Sequence, residues 1–557
     1  MDKKIEIYCH NTRSNILVEG GERLIDIYNR LQLDASLLAV TARVNNKSES
    51  LDFCVYNKCD VEFVDITHPS GMRAYIRSLC FVLYKAITDL FPGTQLRIEH
   101  SISNGNYCLL GDGDQPIDSE MVTLLRQRMQ EIIAQNLPFE QHLAYTTEVV
   151  DIFLKQGLPE KVALLQSSGD LYTTYYSLDG LADIYYSWLV PSTGYLQVFD
   201  LQPYANGMLL LPPDKYNPTQ VATPIDQQKM LNAFNEYTTF NHIIGIDGVG
   251  KLNRSIDDDR VSTLIKVAEA LHEKKIAKIA EDIADRFEQG GARIVLISGP
   301  SSSGKTTFSK RLSIQLMTNR LVPAAISLDD YFVNRVNTPL DENGDYDYES
   351  LYALDLQRFN DDLQRLLKGE CVALPTYDFK SGSRVETGKT LQLTPNTVLI
   401  LEGIHALNPE LTATIPDKQK FRIYASALTS LSIDDHNWIP TTDNRLLRRI
   451  VRDAKTRGVS PKDTIARWGS VRRGEDRWIF PYQENADAMF NSSLLFELAV
   501  IRDYAMPVLR SVPRNCPEFA EASRLLKFLH YFRSLPEKEI PPTSLLREFL
   551  GGSSFRY

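Results

Sequence analysis

Arg293–Thr307 reads RIVLISGPSSSGKTT. Its first part, Ile294-Val295-Leu296-Ile297, has the β-branched, apolar character of a strand buried on both faces. It runs directly into Gly299-Pro300-Ser301-Ser302-Ser303-Gly304-Lys305-Thr306, a full match to G-x-x-x-x-G-K-[ST]. Small residues let successive backbone N–H groups curl round phosphate oxygens. A helix expected from Lys305 through Thr318 points its positive N-terminus at the same anion. Lys305 adds a point charge for the outer phosphates, and the Thr306 hydroxyl is a ligand for Mg²⁺. Gly299, Ser301, Ser302, Ser303, Gly304, Lys305, Thr306 and Thr307 are therefore the expected nucleotide-binding residues, with ATP and Mg²⁺ as ligands.

Downstream, strands and helices alternate to about residue 510. Leu321–Leu328, Thr397–Leu401 and Phe421–Ala425 read as strands, and Leu356–Leu367 and Asn444–Thr456 as helices. That alternation predicts an α/β unit, a parallel sheet with helices on both faces. Ligands of such sheets sit off the carboxyl ends of strands. Asp329 directly follows the second strand and is the expected base for an acceptor hydroxyl, with Asp330 as a helix N-cap. Glu402 ends the apolar run Leu399-Ile400-Leu401, where it would hold Mg²⁺ or its water opposite Thr306. His405 reads as a neighbouring polar group. At helical spacing Arg445, Arg448, Arg449 and Arg452 cover one broad face, with Arg472-Arg473 extending the basic surface. Such a run is ordinarily a solvated face; beside a phosphate site it is also what a charge-neutralising lid needs. No aromatic residues are interleaved with these arginines, which weakens a nucleic-acid reading.

The wider composition is that of an ordinary globular chain. The 557 residues are 43% hydrophobic and 24% charged, enough for about three domains. Lys and Arg total 61 against 71 Asp and Glu, a net charge of -10 that argues against broad nucleic-acid binding. The seven Cys are scattered with no C-x-x-C pair, as suits reduced thiols in a cytoplasm. No apolar run approaches the ~20 residues of a membrane span. MDKKIEIYCHNTRS lacks the apolar core of a signal peptide, so a cytoplasmic location and no membrane partner are expected.

Upstream of the loop, residues 226–290 read as a helical connector whose Val261–Gln289 segment stops at Gly290-Gly291. Gly245–Leu252 satisfies G-x-x-x-x-G-K but continues with Leu252 and polar residues, so a structural turn is expected there. Residues 1–66 form a small mixed unit, and Arg77–Pro92 a helix followed by strands. The tail, 511–557, is expected to be helical at Glu521–Phe532 and Ser544–Phe549; its residues show no legible chemistry, and a regulatory role stays open.

Three resemblances add to this. Leu38-Ala39-Val40, Ala42–Asn46, Leu51 and Asp60-Val61 resemble a TGS domain, the β-grasp module at the front of threonyl-tRNA synthetases. Residues 67–225, through Leu96–Ser101, Gly105-Asn106-Tyr107 and Val190–Leu196, are similar to the α+β second additional (editing) domain of those synthetases. The positions of that family's His-x-x-x-His and Cys-x-x-x-His pairs are here Arg77, Phe81, Tyr185 and Leu189, so neither its metal nor its editing is implied.

Residues from about 292 to 500 resemble the uridine kinase/phosphoribulokinase family of P-loop kinases. The resemblance implies Asp329, Lys305 and Arg452 as catalytic residues and Thr306 and Glu402 at the metal. It implies Asp347, Tyr377, Phe379, Arg384, Arg449 and Arg457 at the acceptor. A phenol and a carboxylate suit a sugar–base substrate, Tyr377 stacking or hydrogen-bonding and Asp347 accepting from ribose hydroxyls. The family's pyrimidine-contacting His is Gly382 here, a lid Arg is Val459, and a downstream Gln is Arg467. The expected activity is transfer of the γ-phosphoryl of ATP to the 5′-hydroxyl of a nucleoside. The alternatives are another acceptor, such as a phosphosugar, or a nucleotide-dependent switch whose N-terminal half binds RNA or a translation partner. The reading leaves homo-oligomer formation open.

Overall fold

The computed structural model describes residues 4–33, 38–111, 117–342, 344–378 and 381–556. Around the phosphate-loop stretch the alternation folds into one parallel sheet. Its strands are β1 (Ile294–Ser298), β2 (Val322–Ser327), β3 (Thr397–Glu402), β4 (Lys420–Ser426) and β5 (Ala488–Asn491). Their order is β2-β3-β1-β4-β5. All four pairings are parallel; Ile294 of β1 lies opposite Leu399 on one side and Lys420 on the other. Every residue of β1 is buried, as a central strand of a sheet covered on both faces requires.

The helices are α1 (Lys305–Thr318), α2 (Leu356–Leu367), α3 (Thr441–Arg452), α4 (Pro461–Trp478), α5 (Glu497–Arg510), α6 (Phe519–His530) and α7 (Arg547–Leu550). Because side chains alternate along β1, Val295 and Ile297 pack with Phe308, Leu312 and Leu316 of α1. Ile294 and Leu296 pack with Phe359 and Leu363 of α2 on the other face. The expected helix 444–456 begins earlier, at Thr441, and passes into a wider π-type turn at Asp453–Arg457.

At the N-terminal end, five strands form a mixed sheet in the order 14–19, 4–9, 60–64, 41–44, 47–49. Helix Leu24–Leu31 buries Leu24 and Ile27 in the core of that unit. Helix Pro69–Leu90 follows, with a four-stranded and a three-stranded sheet. The four positions compared with the synthetase ligands are core: Arg77, Phe81, Tyr185 and Leu189 are all buried, and the Phe81 and Tyr185 rings lie 5.8 Å apart. Among the described residues no group of three or more His, Cys, Asp or Glu could hold a metal.

Three helices, Gln228–Ile243, Val249–Asp257 and Val261–Glu288, form the connector. The second corrects the turn expected at Gly245–Leu252. Gly248 starts a helix there, because Val249 and Leu252 are buried and Gly250 lies against the backbone of Ala163 and Leu164. Two apolar side chains and a glycine are too few for a periodicity reading to find. The largest apolar cluster then joins Val40, helix 69–90, the connector, α3, α5 and α6, so the two halves share a core. Among the described residues no helix is long and apolar enough to cross a membrane.

Candidate active site

The loop after β1 takes its shape from two glycines. A Cβ on Gly299 would overlap the carbonyl of Ala425. Gly304 sits at φ +82° and a Cβ there would overlap Leu545. Ser302 is held at φ 60°, and among the described residues the buried hydroxyls of Ser302 and Ser303 have no hydrogen-bond partner. Unpartnered buried hydroxyls at a helix N-terminus suit an oxyanion ligand, so the loop fits a nucleotide phosphate chain.

Lys305 Nζ folds back onto its own loop, donating to the carbonyls of Gly299 at 2.9 Å and Pro300 at 3.2 Å. Burial lowers its pKa, and the carboxylates of Glu402 and Asp329 oppose that. Thr306 Oγ1 donates to Glu402 Oε1 at 3.0 Å, so the two expected metal ligands meet. A hydroxyl beside a carboxylate is an all-oxygen donor pair, which fits Mg²⁺. The Glu402 carboxyl is pushed up to about 7, chiefly by burial; Lys305 opposes the rise and Asp329 adds to it. Asp329 stands in the single turn after β2, its pKa raised by burial against the pull of Lys305 and Arg457. Asp330 does not cap a helix; its Oδ1 accepts the Tyr377 N–H at 3.2 Å and so ties the hairpin of Thr376–Asp378 and Ser383–Val385 to β2. His405 is buried behind the site.

The structure divides the arginines of α3 into two groups. Arg445 and Arg448 are buried rather than solvated, because that face lies against the phosphate loop and α5. Arg448 makes a two-pronged pair with Glu497, at 3.0 and 2.6 Å, and donates to the Ser492 carbonyl. Arg445 pairs with Glu475 and donates to the Ser301 carbonyl at 2.9 Å. Arg449 Nη1 reaches the Ser301 hydroxyl at 3.0 Å. Asp453, in the turn after α3, gathers the other expected lid groups, lying 3.3 Å from Arg449, 2.9 Å from Arg452 and 3.8 Å from Arg457. Asp453 was not singled out in the sequence; its only signal is a carboxylate among four arginines.

Among the residues expected at the acceptor, Asp347 Oδ1 accepts the Glu349 N–H at 3.1 Å, and burial raises its pKa. Tyr377 is buried, its ring 5.6 Å from that of Phe332. Arg384 is held by Asp355 at 2.9 Å. Phe379 lies outside the described residues. Gly382 has φ +69°, and a Cβ there would stand 2.7 Å from Arg335 Nε, so a guanidinium occupies the place of a side chain.

The tail also reaches the phosphate loop. Glu548 of α7 accepts from the Thr307 N–H at 3.2 Å and from the Thr307 hydroxyl at 2.7 Å. No local sequence signal marks this contact, since its partners are 241 residues apart.

Strand order, loop and strand-end carboxylates together define a P-loop phosphotransferase. Residues 294–494 match the phosphoribulokinase / uridine kinase family. A uridine kinase of Staphylococcus aureus (strain JH9) is 31% identical over 195 residues, 35% of this chain and 84% of that protein. The uridine kinase of strain Newman matches equally, at 31% over 195 residues. The chain belongs to the phosphoribulokinase/uridine kinase family. A solved structure described as a possible uridine kinase from Bacillus stearothermophilus is 20% identical over 38% of this chain and 98% of that one, at a TM-score of 0.25.

Proposed function

We propose that the chain transfers the γ-phosphoryl group of ATP to a small-molecule hydroxyl, with the 5′-hydroxyl of a nucleoside as acceptor. The observation that carries this is the meeting of Lys305, Thr306, Glu402 and Asp329 at the carboxyl ends of three adjacent strands. The loop amides, the hydroxyls of Ser302 and Ser303, and Lys305 bind and orient the phosphate chain. Thr306 and Glu402 would hold Mg²⁺, which when bound supplies neutralisation of phosphate charge. Asp329 takes the proton of the attacking hydroxyl. Arg449, Arg452 and Arg457, grouped on Asp453, stabilise charge on the group in flight. Asp347 and Tyr377 position a sugar and its base. The Staphylococcus aureus relatives, which are named uridine kinases, support the nucleoside reading.

A second acceptor class is favoured by one observation. With Arg335 against Gly382, a guanidinium lies where a base-contacting side chain would be. That chemistry suits an acceptor bearing its own phosphate. The same proposal reads residues 1–66 as a TGS-like β-grasp unit and 67–225 as a synthetase-editing-like unit without its chemistry. The mixed sheet order and the buried Arg77, Phe81, Tyr185 and Leu189 support this. A cytoplasmic location belongs with it, since all seven Cys are free thiols.

The test is ATP consumption by the purified full chain with Mg²⁺, against a panel of nucleosides and phosphosugars. Turnover on a nucleoside is expected. Turnover on phosphosugars alone replaces the acceptor, and ATP binding without turnover on either class overturns the proposal.

A further inference from the structure

We infer that Glu548 is an internal competitor for the nucleotide's phosphate seat. The inference rests on reading Gly299–Thr307 as that seat. The first-turn N–H groups of a helix have no acceptor within the helix and attract anions. In α1, Thr306 is turned toward Glu402, at the transfer end. Thr307, about 100° further round the helix, faces α7. There one oxygen of Glu548 takes both of its donors, the backbone N–H at 3.2 Å and the hydroxyl at 2.7 Å. An amide and a hydroxyl converging on one anionic oxygen are also what a phosphate oxygen would use. A nucleotide that seats a phosphate on Thr307 must therefore displace a carboxylate already bonded there.

The segment carrying Glu548 is not built to leave. Leu545, Leu546, Phe549 and Leu550 are all at most 1% exposed. Leu545 packs with Phe308 and Leu312 of α1, and its Cδ2 lies where a Cβ of Gly304 would be. The Arg448 guanidinium sits 5.0 Å over the Phe549 ring, and Lys455 donates to the Leu550 carbonyl. The Glu548 side chain, on a half-buried residue, is the movable part: a rotamer change carries its carboxylate off Thr307 while α7 stays docked. Glu548 thus sets the affinity of the site. The apparent dissociation constant is the intrinsic one divided by the fraction of molecules whose carboxylate has swung away.

The experiment is calorimetric titration of the full chain with ATP and Mg²⁺. It compares the wild type with Glu548→Gln, Glu548→Ala, Lys305→Ala and the Glu548→Gln/Lys305→Ala pair. Gln preserves size, so a folding failure of the Ala variant does not leave the question open. Both Glu548 variants are expected to bind ATP about tenfold more tightly, the size of one charge-assisted hydrogen bond. The added Lys305→Ala change is expected to abolish binding. Affinities within twofold of wild type, or weaker, with binding still lost on Lys305→Ala, overturn the inference and leave the phosphate seat standing. Binding indifferent to Lys305→Ala, or none in any variant, removes the seat and the inference together.

Discussion

Asp329 and Glu402 end neighbouring strands as half-buried carboxylates, and their surroundings differ. Glu402 accepts the Thr306 hydroxyl and is pushed up to about 7 by burial, with Lys305 opposing. Asp329 is also raised by burial, and Lys305 and Arg457 pull it back. The strand-end position of both carboxylates was legible in the sequence, because an acidic residue closing an apolar run has few structural uses. Asp329→Asn keeps shape and removes the proposed proton acceptor. It is expected to lower turnover by about 10²–10⁴-fold while the ATP dissociation constant stays within about twofold. Undiminished turnover in a steady-state assay would reassign the base.

At the scale of the element, α3 divides its arginines between two surroundings. Periodicity placed four arginines on one face, and hydropathy assigns a charged face to water. The face turns inward because Glu475 and Glu497, from α4 and α5, meet Arg445 and Arg448 beneath the phosphate loop. Arg448→Met strands the Glu497 carboxylate in the interior and is expected to destabilise the chain by ~3–5 kcal/mol in urea unfolding. Arg448→Met combined with Glu497→Leu should recover most of that loss, since no charge is then left unpaired. A single-variant loss under ~1 kcal/mol would mean that α3 is not anchored by this pair.

At the scale of the molecule, the two halves are joined by a seam that is both apolar and ionic. Lys161 is fully buried, with its Nζ 2.6 Å from Asp183 and 2.6 Å from Asp434 of the parallel-sheet unit. His436 closes the group at 2.8 Å from Asp183. Other buried histidines make stability depend on pH. Burial, with Arg311 nearby, lowers the His272 pKa from 6.5 to about 3, and burial does the same to His100. The unfolded chain takes up these protons near pH 6.5, whereas the folded chain resists to about 3. Their contribution is therefore full above about pH 6.5 and declines as pH falls toward 3. Melts between pH 7 and 5 should show a falling Tm, and His272→Gln should flatten the slope by one proton's worth, ~1.4 kcal/mol per pH unit. A variant profile parallel to wild type would acquit His272.

The parallel sheet, the phosphate loop and the strand-end carboxylates are legible in the order of residues alone. Each is written in consecutive residues whose local chemistry has one use: Ile294–Ile297 as a buried strand, Gly299–Thr306 as an anion cradle, Leu399–Glu402 as a strand closed by an acid. Tertiary structure alone decided that Arg448 lies under the loop, that Lys161 bridges the halves, and that Glu548 sits on Thr307. These pairs join residues 49, 273 and 241 positions apart. A charge in sequence looks solvated until the fold supplies its partner, because burial and pairing are properties of the three-dimensional neighbour and not of the residue.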